Sequence, residues 1–196
     1  MERRERVDAI LDFWFGRWRR DRTAYGEPRQ AWFVKEPTFD AAIRDRFLDD
    51  FEQAAAGQLD AWKVEPESCL ALILLLDQCP RNLFRGDARA FATDAQALVV
   101  ALGAIASQLD QSLQPVQRWF IYLPLEHSEN LAHQNQCVDL FRQLGNDPAS
   151  QNVLNYAIQH RDIIARFGRF PHRNAILGRP NTPEEEAFLT QPGSSF

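Results

Sequence analysis

The feature that most constrains the fold of this chain is an uninterrupted run of eight apolar residues, Cys69 to Leu76. The tripeptide Pro66 to Ser68 precedes the run in the manner of a helix N-terminus, and Asp77 ends it. A helix that has no polar face must be covered by other elements on all sides. We therefore predict that this segment is the central and most buried helix of the protein.

Elsewhere, apolar residues recur at helical spacing along most of the chain. Phe39, Ile43, Phe47 and Phe51, for example, follow one another at four-residue steps. No segment alternates with a period of two over enough residues to demand a strand. The sequence therefore predicts one all-α domain over residues 1–196, with about eight helices in antiparallel pairs. We find no clear 34-residue tetratricopeptide repeat. The other predicted helices begin near Val7, Pro37, Phe91, Pro115, Glu126, Pro148 and Pro183, and the fifth is expected to stop at Pro124.

Composition narrows the class of protein. Hydrophobic residues make up 45% and charged residues 25% of the 196 positions, which is typical of a globular domain with its own core. A net charge of -5 argues against a general nucleic-acid binder. Three cysteines without a CxxC pair indicate reduced thiols, and the N-terminus lacks a signal-like apolar segment, so a cytoplasmic protein is expected. The longest apolar run falls far short of the roughly 20 residues of a membrane span.

Two apolar runs lead into short basic loops that contain proline. Cys69 to Leu76 leads into Asp77 to Asn82, and Ile163 to Phe170 leads into Pro171 to Asn174. A proline that stops a helix leaves the last carbonyls without intrahelical partners, and Arg or Asn side chains can satisfy them or hold a ligand beside them. We expect these two loops to form the functional site of the protein.

The segment Leu125 to Glu129 concentrates polar residues in apolar surroundings. If it is helical from Glu126, then Glu126, Glu129 and His133 share one face and could bind a divalent metal or transfer protons. The spacing is neither HExxH nor the Glu-x-x-His of di-iron bundles, so no metal ligand is assigned. The alternative is that these acids favour a helix N-terminus and face water.

Five arginines lie between Arg161 and Arg179, where Asp162 is the one local acid. Guanidinium groups bind carboxylate or phosphate through two parallel hydrogen bonds, so an anionic ligand is one hypothesis. A structural network with Asp77 and the acids of Leu125 to Glu129 is the second, since buried charges must be paired. A surface for a partner protein is the third.

The sequence lacks the fingerprints of the common nucleotide and hydrolase sites. It contains no GxGxxG, no Walker A motif and no GxSxG. We therefore predict no cofactor, and no α/β-hydrolase.

Several motifs are long enough to be specific: Leu74 to Asn82, Arg85-Gly86, Ala90-Phe91, Leu125 to Glu129 and Arg166 to Asn174. On these motifs the chain resembles a bacterial family known only as a domain of unknown function, over nearly its whole length. The resemblance implies a tetratricopeptide-like superhelix of α-helix pairs and no established activity. The family usually has Phe where this chain has Cys79, so this chain lacks that aromatic ring in the loop.

The leading hypothesis is a cytoplasmic helical domain that binds a peptide or a small anionic ligand in a polar cleft. One alternative is a hydrolytic enzyme, with or without assistance from a metal, in which Glu126 or Glu129 is a general base with His127 or His172. The other is a scaffold with an exposed apolar groove. The predicted ligand-binding residues are Asp77, Arg81, Asn82, Arg85, Glu126, His127, Glu129, His160, Arg166, Arg169, His172, Arg173 and Asn174.

Overall fold

The computed structural model describes residues 2–16 and 28–194. These residues are mostly helical and contain no β-strand, which confirms the predicted all-α class. The helices are α1 (Glu2–Phe15), α2 (Pro37–Ala55), α3 (Pro66–Ile73), α4 (Cys79–Leu83), α5 (Asp94–Ala106), α6 (Pro115–Glu126), α7 (Leu131–Arg142), α8 (Pro148–Phe167) and α9 (Pro183–Leu189). Short 3-10 helices connect several of them.

The chain packs as two compact units. Unit 1 consists of Met1–Arg85 and Arg89–Pro124, and unit 2 consists of Gly86–Ala88 and Leu125–Phe196. Each unit is described separately below.

The predicted central helix is the most buried part of unit 1. Every residue of the run from Cys69 to Leu76 is buried, and α3 packs against both α1 and α5. Aromatic side chains also pack against one another in unit 1: Trp32 donates its indole N–H to the main-chain carbonyl of Trp14, and its ring packs edge-on against Phe120 at 5.0 Å. Burial of large rings is the main source of stability in a core of this kind.

The chain does not leave the helical path after the apolar run, so the loop predicted from Asp77 to Asn82 is wrong. A π-helical turn, Leu74–Gln78, joins α3 directly to α4. Pro80 has no N–H to donate to the carbonyl of Leu76, four residues earlier. The hydroxyl of Thr93 donates to that carbonyl instead, at 2.5 Å. Because a side chain from another segment satisfies the carbonyl, the helix continues through the proline.

Unit 2 is built on the helix pair α7 and α8, which pack against each other along their lengths. Asp147 caps α8 by accepting hydrogen bonds from the main-chain N–H groups of Ala149 and Ser150. The helix ends at Gly168, whose φ of 69° is the left-handed conformation that glycine adopts without strain. A 3-10 turn, Pro171–Arg173, then replaces the second predicted loop.

Two predicted boundaries near α6 are also wrong. The helix runs through Pro124 and ends at Glu126, because the proline lies in its last turn, where few hydrogen bonds depend on it. The next helix begins at Leu131 rather than at Glu126, and Asn130 caps it. Glu126, Glu129 and His133 therefore do not share one helical face.

The segment Ala88–Ala106 is long and apolar enough to cross a membrane by length and composition alone, and 33% of its most apolar window is buried. Its α-helical part, α5, has only 13 residues. At about 1.5 Å per residue this is roughly 20 Å, shorter than the roughly 30 Å of a bilayer core. The segment is thus weak evidence for a membrane span.

Candidate functional site

Four of the predicted site residues lie in unit 1, where hydrogen bonds and ion pairs join them to the helix framework. Asp77 is fully buried and accepts a hydrogen bond from the amide of Gln78 at 2.7 Å. Arg81 donates to the main-chain carbonyl of Asp77 at 2.5 Å and makes two hydrogen bonds to Asp94, at 2.9 and 3.1 Å. The two carboxylates raise the pKa of Arg81 against the opposing effect of its burial. Arg81 is thus a structural guanidinium.

Asn82 and Arg85 continue this network. The side-chain amide of Asn82 donates to the main-chain carbonyl of Gln78 at 2.9 Å, and its oxygen accepts from Arg85 at 2.8 Å. Arg85 also binds the carboxylate of Asp40 through two hydrogen bonds, at 2.7 and 2.9 Å. These side chains satisfy carbonyls along the π turn and tie α4 to α2.

Two further predicted residues, Arg166 and Arg169, tie α9 to the end of α8. Arg169 binds Glu185 at 2.6 and 2.7 Å, and this contact lowers the pKa of Glu185 to about 2. Arg166 pairs with Glu184 at 2.9 Å on the surface. Both arginines are paired with acids, but with Glu184 and Glu185 rather than with Asp77 or the acids of Leu125 to Glu129 that the structural hypothesis named.

Glu129 and Asn174 belong to a clasp that also includes Arg179. The guanidinium of Arg179 donates to both carboxylate oxygens of Glu129, at 2.7 and 2.9 Å, and to the side-chain oxygen of Asn174 at 2.9 Å. Burial raises the pKa of Glu129, but the hydrogen bonds from Arg179 and from the N–H of Phe170 outweigh it, so the net shift is downward. Glu129 is therefore ionised and held in place, which makes it a poor general base.

The remaining predicted residues, Glu126, His127, His160, His172 and Arg173, form what we call the histidine–arginine cluster of unit 2. The Arg173 side chain donates to the main-chain carbonyl of His127 at 3.0 Å, and its guanidinium lies 4.5 Å from the ring centre of Phe170. Arg173 is only 6% exposed. The cluster thus fixes a buried guanidinium by a carbonyl and an aromatic face.

His160 is a buried, neutral imidazole within this cluster. Burial, together with the neighbouring charges of His127, Arg173 and His172, lowers its pKa to about 3, against the opposing effect of a hydrogen bond with the carbonyl of Tyr156. Its Nδ1 is 2.9 Å from that carbonyl and 3.4 Å from Oε1 of Glu126. Because the imidazole is uncharged near pH 7, the contact with Glu126 is not an ion pair.

His172 is the second neutral imidazole. Burial lowers its pKa to about 4, with Arg173 as the next contributor, while Glu129 acts in the opposite direction. Its ring centre lies 5.6 Å from that of Phe170. Since His127 and Arg173 influence both His160 and His172, the three imidazoles and the guanidinium are electrostatically coupled within unit 2.

Sequence reasoning missed three residues of unit 2. Arg179 was counted among the arginines but not assigned to Glu129, fifty residues away. Gln134 is fully buried, and its amide N–H donates to the carbonyls of Glu126 and Ser128 at 2.5 and 2.7 Å. His133 contacts Ser128 rather than the acids. Asn130, a favoured helix-capping residue, was the available signal for the true start of α7.

Over residues 2–16 and 28–194, no three His, Cys, Asp or Glu side chains are grouped so that they could hold a metal ion.

Comparison with known proteins gives a family and a fold, but no activity. A family model described as a bacterial protein of unknown function (DUF924) matches residues 10–193. The fold is similar to that of ATU0120, a protein of unknown function from Agrobacterium tumefaciens. The two are 45% identical, the match covers 93% of this chain and 96% of the other, and the TM-score is 0.82. No curated protein matches the chain.

Proposed function

Because this chain belongs to the bacterial family DUF924, for which no activity is described, we propose a function from side-chain geometry: unit 2 binds a small anionic ligand, a carboxylate or a phosphate, at the histidine–arginine cluster. One observation carries the proposal. Two neutral imidazoles, the buried His160 and the half-buried His172, lie within electrostatic reach of the buried guanidinium of Arg173. A guanidinium group binds such anions through two parallel hydrogen bonds, and a protonated imidazole can donate to them as well.

The electrostatics of the cluster support this function. Burial and the positive charge of Arg173 keep His160 and His172 from taking up protons. An anion bound beside them would offset that charge and raise both pKa values, so that an imidazole could gain a proton and donate it to the ligand. Anion binding is therefore expected to be accompanied by proton uptake. The carboxylate could belong to a small molecule or to a peptide C-terminus.

The experiment is titration calorimetry at pH 7 with inorganic phosphate, acetate and a blocked dipeptide that has a free C-terminus. Each titration is run in two buffers of different ionisation enthalpy, so that the number of protons taken up is measured. We expect at least one probe to bind with net proton uptake. His172→Gln should reduce the uptake, and Arg173→Lys should weaken binding because it loses the planar pair of donors.

Arg166→Gln is the matched control, since it removes an arginine of the same unit whose partner, Glu184, lies outside the cluster. Binding should be unchanged in that variant. The proposal fails if no probe binds at millimolar concentration, or if Arg173→Lys and His172→Gln both bind as the wild type does.

A second candidate is general acid–base catalysis of a hydrolysis, and the contact between Glu126 and His160 favours it. The 3.4 Å separation places the Glu126 carboxylate beside Nδ1 of a neutral imidazole within a buried setting. Glu126 is the better candidate base, because Glu129 is occupied by Arg179. Turnover of an ester or phosphate substrate that disappears in Glu126→Gln, while anion binding persists, would favour the enzyme.

Location and helix arrangement are part of the same proposal. Cys69, Cys79 and Cys137 are buried thiols, which supports a reducing compartment such as the cytoplasm. The α7 and α8 pair supports a tetratricopeptide-like arrangement. A cleft shared by all thirteen predicted residues and a scaffold function stay predictions.

A further inference from the structure

Ser128 and His133 form a pair that the anion-binding proposal does not use. The hydroxyl oxygen of Ser128 lies 2.9 Å from Nδ1 of His133. Both side chains are half-buried, so solvent reaches them while neighbouring atoms hold them in place. A serine hydroxyl within hydrogen-bond distance of an imidazole is the arrangement that activates a serine nucleophile.

The reactive arrangement needs the Ser128 hydroxyl to donate to Nδ1 of His133, and the other hydrogen bond at Ser128 permits this direction. The main-chain N–H of Asn130 donates to the Ser128 oxygen at 3.3 Å, so this oxygen already accepts one hydrogen bond. The hydroxyl proton is then available for Nδ1 of His133. This direction requires the tautomer with its proton on Nε2, in which Nδ1 is the basic nitrogen.

The pair is held on a rigid turn. Gln134, which is fully buried on α7, donates to the main-chain carbonyl of Ser128 at 2.7 Å. Asn130 caps the same helix by accepting from the N–H of Ala132 at 2.8 Å. Ser128 precedes the first residue of the 12-residue helix α7 by three positions. The positive end of the helix dipole is therefore nearby, where it would stabilise an oxyanion.

We propose that Ser128 is a catalytic nucleophile with His133 as its general base, acting in acyl transfer from small carboxylic esters. The Ser128 oxygen forms a bond to the ester carbonyl carbon as its proton moves to Nδ1 of His133. The bond to the leaving alkoxide then breaks, and the alkoxide takes that proton and departs as an alcohol. Water then gives a proton to His133 and bonds to the acyl carbon, the bond from that carbon to the Ser128 oxygen breaks, and the proton passes from His133 to the Ser128 oxygen as the carboxylic acid is released.

A structural role for the same contact makes a different prediction. If Ser128 only stabilises the turn between α6 and α7, its hydroxyl should be no more reactive than that of any other accessible serine. The reactivity of the hydroxyl, and not the stability of the protein, therefore distinguishes the two roles.

The test uses the full chain and a fluorophosphonate, which transfers its phosphonyl group to an activated serine with loss of fluoride. Mass spectrometry of peptides locates the label, and 4-nitrophenyl acetate gives the rate of acyl transfer. We expect one label per chain on Ser128, and none there in Ser128→Ala. Ser107→Ala is the control, since Ser107 is an exposed serine at the end of α5.

His133→Asn tests the base separately. An asparagine oxygen can take the place of Nδ1 and accept the hydrogen bond from Ser128, but it cannot take up the proton. Labelling and acyl transfer should fall by about 100-fold or more, as expected on loss of a general base. The proposal is overturned if wild-type Ser128 remains unlabelled, or if His133→Asn reacts at the wild-type rate. Neither variant alters Arg173 or His172, so the result is independent of anion binding.

Discussion

Replacing Thr93 by Val should destabilise the protein through one main-chain carbonyl in the core. Thr93 is buried, and its hydroxyl donates at 2.5 Å to the carbonyl of Leu76, for which Pro80 has no N–H to offer. Valine preserves the shape of the side chain but leaves this buried acceptor unsatisfied, which costs about 1–3 kcal/mol. For a chain of this size each kcal/mol lowers Tm by about 2–4 °C, so a 2 kcal/mol loss lowers it by about 4–8 °C.

The assay is urea unfolding of wild type, Thr93→Val, Pro80→Ala and the double variant, monitored by circular dichroism. In the Pro80→Ala background the new N–H at position 80 can donate to Leu76, so Thr93→Val should cost at least about 1 kcal/mol less there. If Thr93→Val costs under about 0.5 kcal/mol, or costs the same in both backgrounds, the carbonyl has another donor and the reasoning is wrong.

Three other measurements test unit 2. Gln134→Leu should cost about 2–3 kcal/mol in urea unfolding, because the carbonyls of the α6–α7 turn lose a buried donor; a smaller loss would show that water replaces it. The free energy of unfolding should fall as the pH drops from about 6.5 toward 4. In this range the imidazoles of the unfolded chain bind protons, whereas His160 and His172 of the folded protein, with pKa values of about 3 and 4, do not. His172→Gln should flatten this slope, and an unchanged slope would contradict the pKa assignment. Glu185→Gln should be less stable than wild type at pH 6. Thermal melts should show this difference in stability disappearing between about pH 4.5 and 2, because the pKa of Glu185 in the folded protein is about 2. A difference in stability that stays constant over this range would contradict the assignment.

Helices could be predicted from the sequence wherever a local pattern, such as apolar spacing or a helix-start motif, was sufficient to determine them. Ile43 and Phe47 are buried at the spacing that identified α2. Thr182 and Glu185 form a capping box at the start of α9, the helix that the sequence predicts to begin near Pro183. The path after Leu76 was not predictable, because the continuation through Pro80 depends on the hydroxyl of Thr93, a residue from another segment.

The candidate site was predictable in residue type but not in pairing. The arginines could be recognised as ligands for carboxylates, yet the choice of Glu185 for Arg169 and Glu129 for Arg179 depends on tertiary structure. The neutral state of His160 likewise depends on burial between helices, which no local pattern encodes. The Ser128–His133 pair was hidden because α7 was expected to start too early.

The contact between Glu129 and Arg179 also bears on the order of events during protein synthesis. The two residues are fifty positions apart. At about 5–20 residues per second, the ribosome needs several seconds to supply the guanidinium after the carboxylate has appeared. During that interval the turn after α6, which carries Glu129, has been synthesised but Arg179 has not. In the nascent chain the Glu129 carboxylate thus gains its ion pair with Arg179 only after the polypeptide beyond α8 has been made.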